Sequence, residues 1–72
     1  MNCEMKYVES SRVEALGYDE DSSTLYVRFK NGGALYAYYE VPKYEYDDFF
    51  SGRSIGRKIS EIDKVYRYSR VG

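Results

Sequence analysis

Residues 52–56, Gly-Arg-Ser-Ile-Gly, fit the pattern G-x-S-x-G, which presents a nucleophilic serine on a sharp turn in α/β-hydrolases. That chemistry needs a histidine to take the serine proton, and the chain contains none. The hydrolase turn also joins a strand to a helix in a large parallel sheet, whereas this one follows a helical pattern. Lys58 is the nearby alternative base, but it stands beside Arg57 in a polar stretch. The motif therefore predicts no catalysis, and the chain reads as a non-enzyme.

Two other chemistries fit the same residues. Ser54 is a favoured N-cap for a helix beginning at residue 55, worth about 1 kcal/mol over alanine. A helix start also offers unpaired backbone N–H groups and the positive end of the helix dipole, which together suit an anion. Arg53, Arg57 and Lys58 surround that point with positive charge, and Gly56 gives a phosphate access to the backbone. The candidate phosphate-binding set is thus Arg53, Ser54, Gly56, Arg57 and Lys58. Capping alone and capping with a bound phosphate both fit.

Ten tyrosines make up the other notable group. Most are expected to fill the core or an interface. Tyr36, Tyr38 and Tyr68 are the candidates for base stacking, in which each stacked base contributes about 1–3 kcal/mol. The acidic run Asp19-Glu20-Asp21 lacks the alternating ligands of a calcium loop and reads as a solvated turn. Cys3 is the only cysteine, so neither an intrachain disulfide nor a zinc site is expected, and no cofactor is implied.

The elements that must carry these residues follow from the hydrophobic pattern. Residues 10–20 form a plausible strand through Val13, Ala15, Leu16 and Tyr18. Residues 24–30, TLYVRFK, alternate strictly and predict a second strand. Asn31-Gly32-Gly33 is a hairpin turn, and residues 34–41 return as a third strand. A two-residue loop at Asn31-Gly32 pairs Val27 with Tyr36 and Leu25 with Tyr38, sending both tyrosines to the core face. A three-residue loop pairs Phe29 with Leu35 and turns both outward. The sequence leaves these registers open.

Pro42 suits the first position of a helix that carries Tyr46, Phe49 and Phe50 on one face and closes at Gly52. A second short helix is expected over 54–63, with Ile55, Ile59 and Ile62 aligned, and a final strand over 65–71. The expected class is α+β: an antiparallel β-meander of three strands, two short helices packed on one face and a final β-strand, in a single small domain. Residues 1–9 read as an N-terminal extension and 10–72 as the domain.

At 72 residues such a domain buries only about 60% of the surface its unfolded chain exposes. Without staples, aromatic burial and self-association remain, so a homo-oligomer is expected. No apolar run approaches a membrane span, and the N-terminus lacks a signal-peptide core, so the chain reads as cytoplasmic. The net charge of −1 hides an asymmetry: residues 1–50 carry −5 and residues 51–72 carry +4.

Taken together, Ser10-Ser11, Gly17-Tyr18, Leu25-x-Val27-x-Phe29, Asn31-Gly32, Tyr36-x-Tyr38, Val41-Pro42, Ser54-x-Gly56 and Tyr66 resemble the KTSC domain family. The family takes its name from a module at the C-terminus of some lysyl-tRNA synthetases. It also occurs as small free-standing proteins of bacteria and their phages. Two positions depart from the family pattern: Ile59-Ser60 stand where an aromatic and an asparagine are usual, and the turn at Asn31-Gly33 is one residue longer. The synthetase association implies RNA binding.

Three functions follow. An acidic body with one basic corner favours a small phosphate-bearing nucleotide, because coating a long polyanion needs many distributed contacts. In a phage setting such a protein would sequester a nucleotide signal and so evade immunity. An RNA-binding accessory module would instead align Arg67 and Arg70 with Arg53, Arg57 and Lys58 in one basic stripe and stack single-stranded bases on tyrosines. A protein-interaction module would use surface tyrosines as an interface and need no ligand.

Overall fold

A computed structural model describes residues 4–52 and 54–72. Its elements are β1 (Lys6–Tyr7), β2 (Val13–Asp19), β3 (Thr24–Phe29), β4 (Leu35–Tyr38), α1 (Lys43–Asp48), α2 (Ile55–Val65) and β5 (Tyr68–Arg70). The five strands form one antiparallel sheet in sequence order, with both helices on one face. The α+β meander with a helical pair is thus observed. The final strand is part of the same sheet, beside β4, rather than a separate element.

A strand at the start of the chain was not foreseen. Lys6 and Tyr7 pair with Leu16 and Ala15, and Val8 packs against the core, so part of the expected extension belongs to the sheet. The hydrophobic signal there is too short to show a strand, because only two residues pair.

β2 explains its own irregular pattern. A bulge at Glu14 lets Val13 face Phe29 while Ala15 faces Arg28. The extra residue puts Val13, Leu16 and Tyr18 on the same face despite their odd first spacing. Val13 and Leu16 are fully buried as a result.

The hairpin adopts the two-residue-loop register, with Val27 opposite Tyr36 and Leu25 opposite Tyr38. Gly32 and Gly33 hold φ of 78° and 67°, a region that side chains with a Cβ disfavour. These two glycines close the turn in the one register that turns Tyr36 and Tyr38 towards the helices. A slip by one residue would expose both.

The helices complete the core. Pro42 is the N-cap of α1, not its first helical residue, and α1 ends at Asp48 before a short run of tighter turns to Ser51. Tyr46 from α1 and Phe49, its C-cap, meet Ile59 and Ile62 from α2 over Leu16, Leu25, Val27 and Tyr38. α2 continues two residues past its expected end, which shortens the last strand to 68–70. Among the described residues, no helix is long and apolar enough to cross a membrane.

Candidate functional site

The aromatic face of the hairpin and last strand, together with one edge of α2, bounds a groove of about 470 Å³. That volume lies within the range of small-molecule sites. The three stacking candidates meet there: Tyr36, Tyr38 and Tyr68 all line the groove. The Tyr68 ring centroid stands 5.8 Å from that of Tyr36 and 5.2 Å from that of Tyr38, and Phe29 meets Tyr36 edge-on at 5.5 Å. The pairing of β5 with β4 is the cause, because it sets Tyr68 opposite Tyr38.

The three rings have different exposures. Tyr38 is 1% exposed and forms the floor, so its ring has no free face to offer a base. Tyr36 is half-buried, and Tyr68 is 50% exposed at the sheet edge. Tyr36 and Tyr68 therefore supply the usable aromatic surface.

Charged side chains also line the groove. Asp63 accepts a hydrogen bond of 2.6 Å from the Tyr38 hydroxyl. Burial, reinforced by the Asp63 hydrogen bond and charge, pushes the Tyr38 phenol well above its ordinary pKa. The hydroxyl thus stays a donor and fixes the carboxylate against the floor. Also lining the groove, Arg12 reaches from just before β2 to α2, donating from Nη1 to the Gly56 carbonyl at 3.2 Å and to Ser60 Oγ, one turn before Asp63, at 3.1 Å. The register also places Arg70 opposite Tyr36, at the same end of the sheet as the hairpin turn. The groove therefore carries one acidic side chain, Asp63, and one basic side chain, Arg12, among the described residues.

Arg12 also links the groove to the first turn of α2. Ser54 is the N-cap, and its Oγ accepts from the Arg57 N–H at a long 3.5 Å. Gly56 lies against the Arg12 side chain: a Cβ added there would meet Arg12 Cδ at 3.5 Å, an ordinary contact. Arg57 is exposed beside this turn. Arg53, the remaining member of the expected basic cluster, lies outside the described residues.

Lys58 departs from the expected phosphate set. It is 2% exposed, and its ammonium meets Glu45 at 2.5 Å and Asp48 at 3.1 Å beneath the two helices. Burial alone lowers the pKa of a lysine, but the hydrogen bonds to Glu45 and Asp48 outweigh it and hold Lys58 above its ordinary value. Tyr66 completes the cluster, donating from its hydroxyl to Glu45 at 3.0 Å. Burial first, then Glu45, raises the Tyr66 phenol to about 12. Lys58 is thus a bolt between α1 and α2. It faces the core because it neighbours Ile59 and Ile62 on the inner side of the helix, a placement hidden by the run Arg57-Lys58 in the sequence.

The basic stripe expected of an RNA module is also divided. Arg67 pairs at 3.7 Å with Glu40, Arg70 Nε donates to the Gly72 carbonyl, and Lys58 is enclosed.

The chain's affiliation rests on sequence and fold together. The model of the KTSC domain matches residues 9–64. The chain belongs to the KTSC domain family. A protein of Tsukamurella paurometabola is 48% identical over 60 residues, covering 83% of this chain and 88% of its own length. One from Stutzerimonas stutzeri is 36% identical over 66 residues, covering 89% and 92%. The crystal structure of a KTSC domain protein from Yersinia pestis superposes with a TM-score of 0.89 at 30% identity, over 99% of this chain and all of that one. The KTSC fold thus accounts for nearly the whole chain, including the β1 strand.

Arg12, Asp63, Phe29 and Asn31 were absent from the expected site. Arg12 and Gly56 are 44 residues apart, and no local motif joins them. Asp63 carried one usable signal: it falls seven residues after Gly56, two helical turns along the same face of α2.

Proposed function

We propose that this KTSC protein is a non-catalytic, cytoplasmic binder of a small phosphate-bearing nucleotide. The observation that carries the reading is the aromatic groove, lined by Tyr36 and Tyr68 together with Asp63 and Arg12. The base stacks on Tyr36 and Tyr68. The phosphate lies at Arg12, which reaches Gly56 in the first turn of α2, beside Ser54 and Arg57. Lys58 takes no part. A compact ligand fits better than a long RNA because Arg12 is the one cation among the described residues that lines the groove, and the other basic residues do not track a backbone along it. Sequestration of a nucleotide signal, as in phage immune evasion, needs only binding and suits a site with no proton-transfer histidine. Self-association belongs to the same reading, with Tyr7 and Tyr44 at 80% and 68% exposure as apolar contacts away from the groove.

A thermal-shift panel of mononucleotides, cyclic dinucleotides and short single-stranded RNA tests this, with Tyr68→Ala and Arg57→Ala alongside. A ligand at 100 times its Kd adds about 2.7 kcal/mol. For a domain of this size that raises Tm by about 10–20 °C. A shift with a small nucleotide that both variants weaken supports the proposal. A response to RNA alone, fading steeply with salt, would transfer the site to RNA, and a flat panel would leave the groove without a nucleotide role.

A further inference from the structure

Resting on the nucleotide reading above, we infer that the groove selects guanine, with Asp63 reading the donor edge of the base. Three features support the choice.

The first is the state of the Asp63 carboxylate. Only Oδ1 is engaged, by the Tyr38 hydroxyl, and among the described residues Oδ2 has no hydrogen-bond partner. An ionised carboxylate has about four lone-pair sites and no donor of its own. On a residue that lines the groove, it therefore has spare acceptor capacity and nothing to offer an acceptor.

The second is position. Asp63 stands where the groove floor meets α2, beside Tyr38, whose ring packs on Tyr68. A base stacked on Tyr68 presents its edge to that carboxylate, and Arg12, which also lines the groove, is the cation for the phosphate. The Tyr38 hydrogen bond fixes the carboxylate orientation before any ligand arrives.

The third is the chemistry of the bases. Guanine places two donors side by side, N1–H and N2–H, and a carboxylate accepts both in parallel. Adenine offers one donor at N6, next to the acceptor N1, which would face a carboxylate oxygen and repel it. Hypoxanthine keeps N1–H but lacks the N2 amine, so it ranks between them. A site built to bond a donor rejects the analogue lacking it, because its own polar group is left unpaired.

Replacing Asp63 by asparagine should remove the preference. The asparagine oxygen still accepts from Tyr38, and its amide then presents a donor beside that oxygen. The pair matches the N1 acceptor and N6 donor of adenine, and equally the O6 acceptor and N1–H donor of guanine.

The experiment is calorimetric titration of the full chain with GMP, IMP and AMP, for the wild type and Asp63→Asn. The wild type is expected to bind GMP about tenfold to a hundredfold tighter than AMP, with IMP between, as for one bidentate base contact. Asp63→Asn is expected to bring AMP level with GMP. GMP and AMP affinities within twofold on the wild type would overturn the guanine assignment while leaving nucleotide binding intact. An unchanged ratio in Asp63→Asn would do the same. Absence of binding by all three would overturn the nucleotide reading itself. The wild-type series needs no folded variant, so the assignment stands or falls even if Asp63→Asn is unstable.

Discussion

Lys58→Met separates the structural cations of this protein from its proposed ligand-binding ones. Methionine keeps most of the buried stem of Lys58 but removes the ammonium that joins Glu45 and Asp48. Removing one partner from a buried ion pair costs about 3–5 kcal/mol, because the other charge stays behind. Here the carboxylates left behind belong to residues 20% and 32% exposed, so water reaches them in part, while Tyr66 still donates to Glu45 and Ser51 to Asp48. The low end, about 3 kcal/mol, is therefore expected. A 72-residue domain has a total stability of about 4–11 kcal/mol, so the loss is a large fraction of it. In urea, with a slope of about 1 kcal/mol/M, the unfolding midpoint should fall by roughly 3 M, or to an already unfolded chain if the starting margin is small. Glu45→Gln in the Lys58→Met background should restore part of the loss by removing one stranded charge. Nucleotide affinity, measured where Lys58→Met is folded, should stay within twofold of the wild type. Unchanged stability with lost affinity would refute the assignment of Lys58 as an interhelical bolt.

Other outcomes follow from the same contacts. Stability should hold up to about pH 10 and fall between about pH 10 and 12. There the unfolded tyrosines lose their protons while Tyr66, raised to about 12, and Tyr38 keep theirs. The charged Lys58 acts in the same direction, its contribution present at lower pH and lost as pH rises through its raised folded-state pKa. Urea titrations at stepped pH check this, and a level profile through pH 12 would contradict it. Ile62→Ala, at a fully packed site, should cost about 2–5 kcal/mol by the same assay. Gly33→Val should destabilise by at least 1 kcal/mol, because a β-branched residue at φ 67° is strained although open space surrounds it. A neutral result would show that the turn can relax without its positive φ. Arg12→Ala should weaken nucleotide binding more than Arg57→Ala, because only Arg12 lines the groove.

Much of the fold was legible in the sequence because local rules dominate it. The alternation in residues 24–30, the glycines after Asn31 and the isoleucine spacing in α2 each specify an element without distant help. The register was not legible, since two loop lengths satisfy the same residues and only packing under α1 and α2 chooses between them. β1 was missed because a two-residue edge strand has no period of its own. The three tyrosines singled out by type converge through the β4–β5 pairing, but Tyr38 is buried as the groove floor, which residue type could not show. Lys58 shows the limit of reading charge along the chain: its neighbours in sequence are exposed Arg57 and buried Ile59, and only helical phase against α1 decides its side. Arg12 and Asp63 became partners of the site through contacts that span much of the chain, which no motif encodes.

The most direct test of the central claim is an NMR titration of the isotopically labelled protein with GMP. The ring signals of Tyr36 and Tyr68 and the amide signals of Ser54 through Arg57 should shift together and saturate at one stoichiometric ligand. The signals of Lys6 and of Asp19 through Ser22, far along the sheet, should stay in place. Shifts confined to residues outside the groove, or none at millimolar ligand, would contradict nucleotide binding at this site.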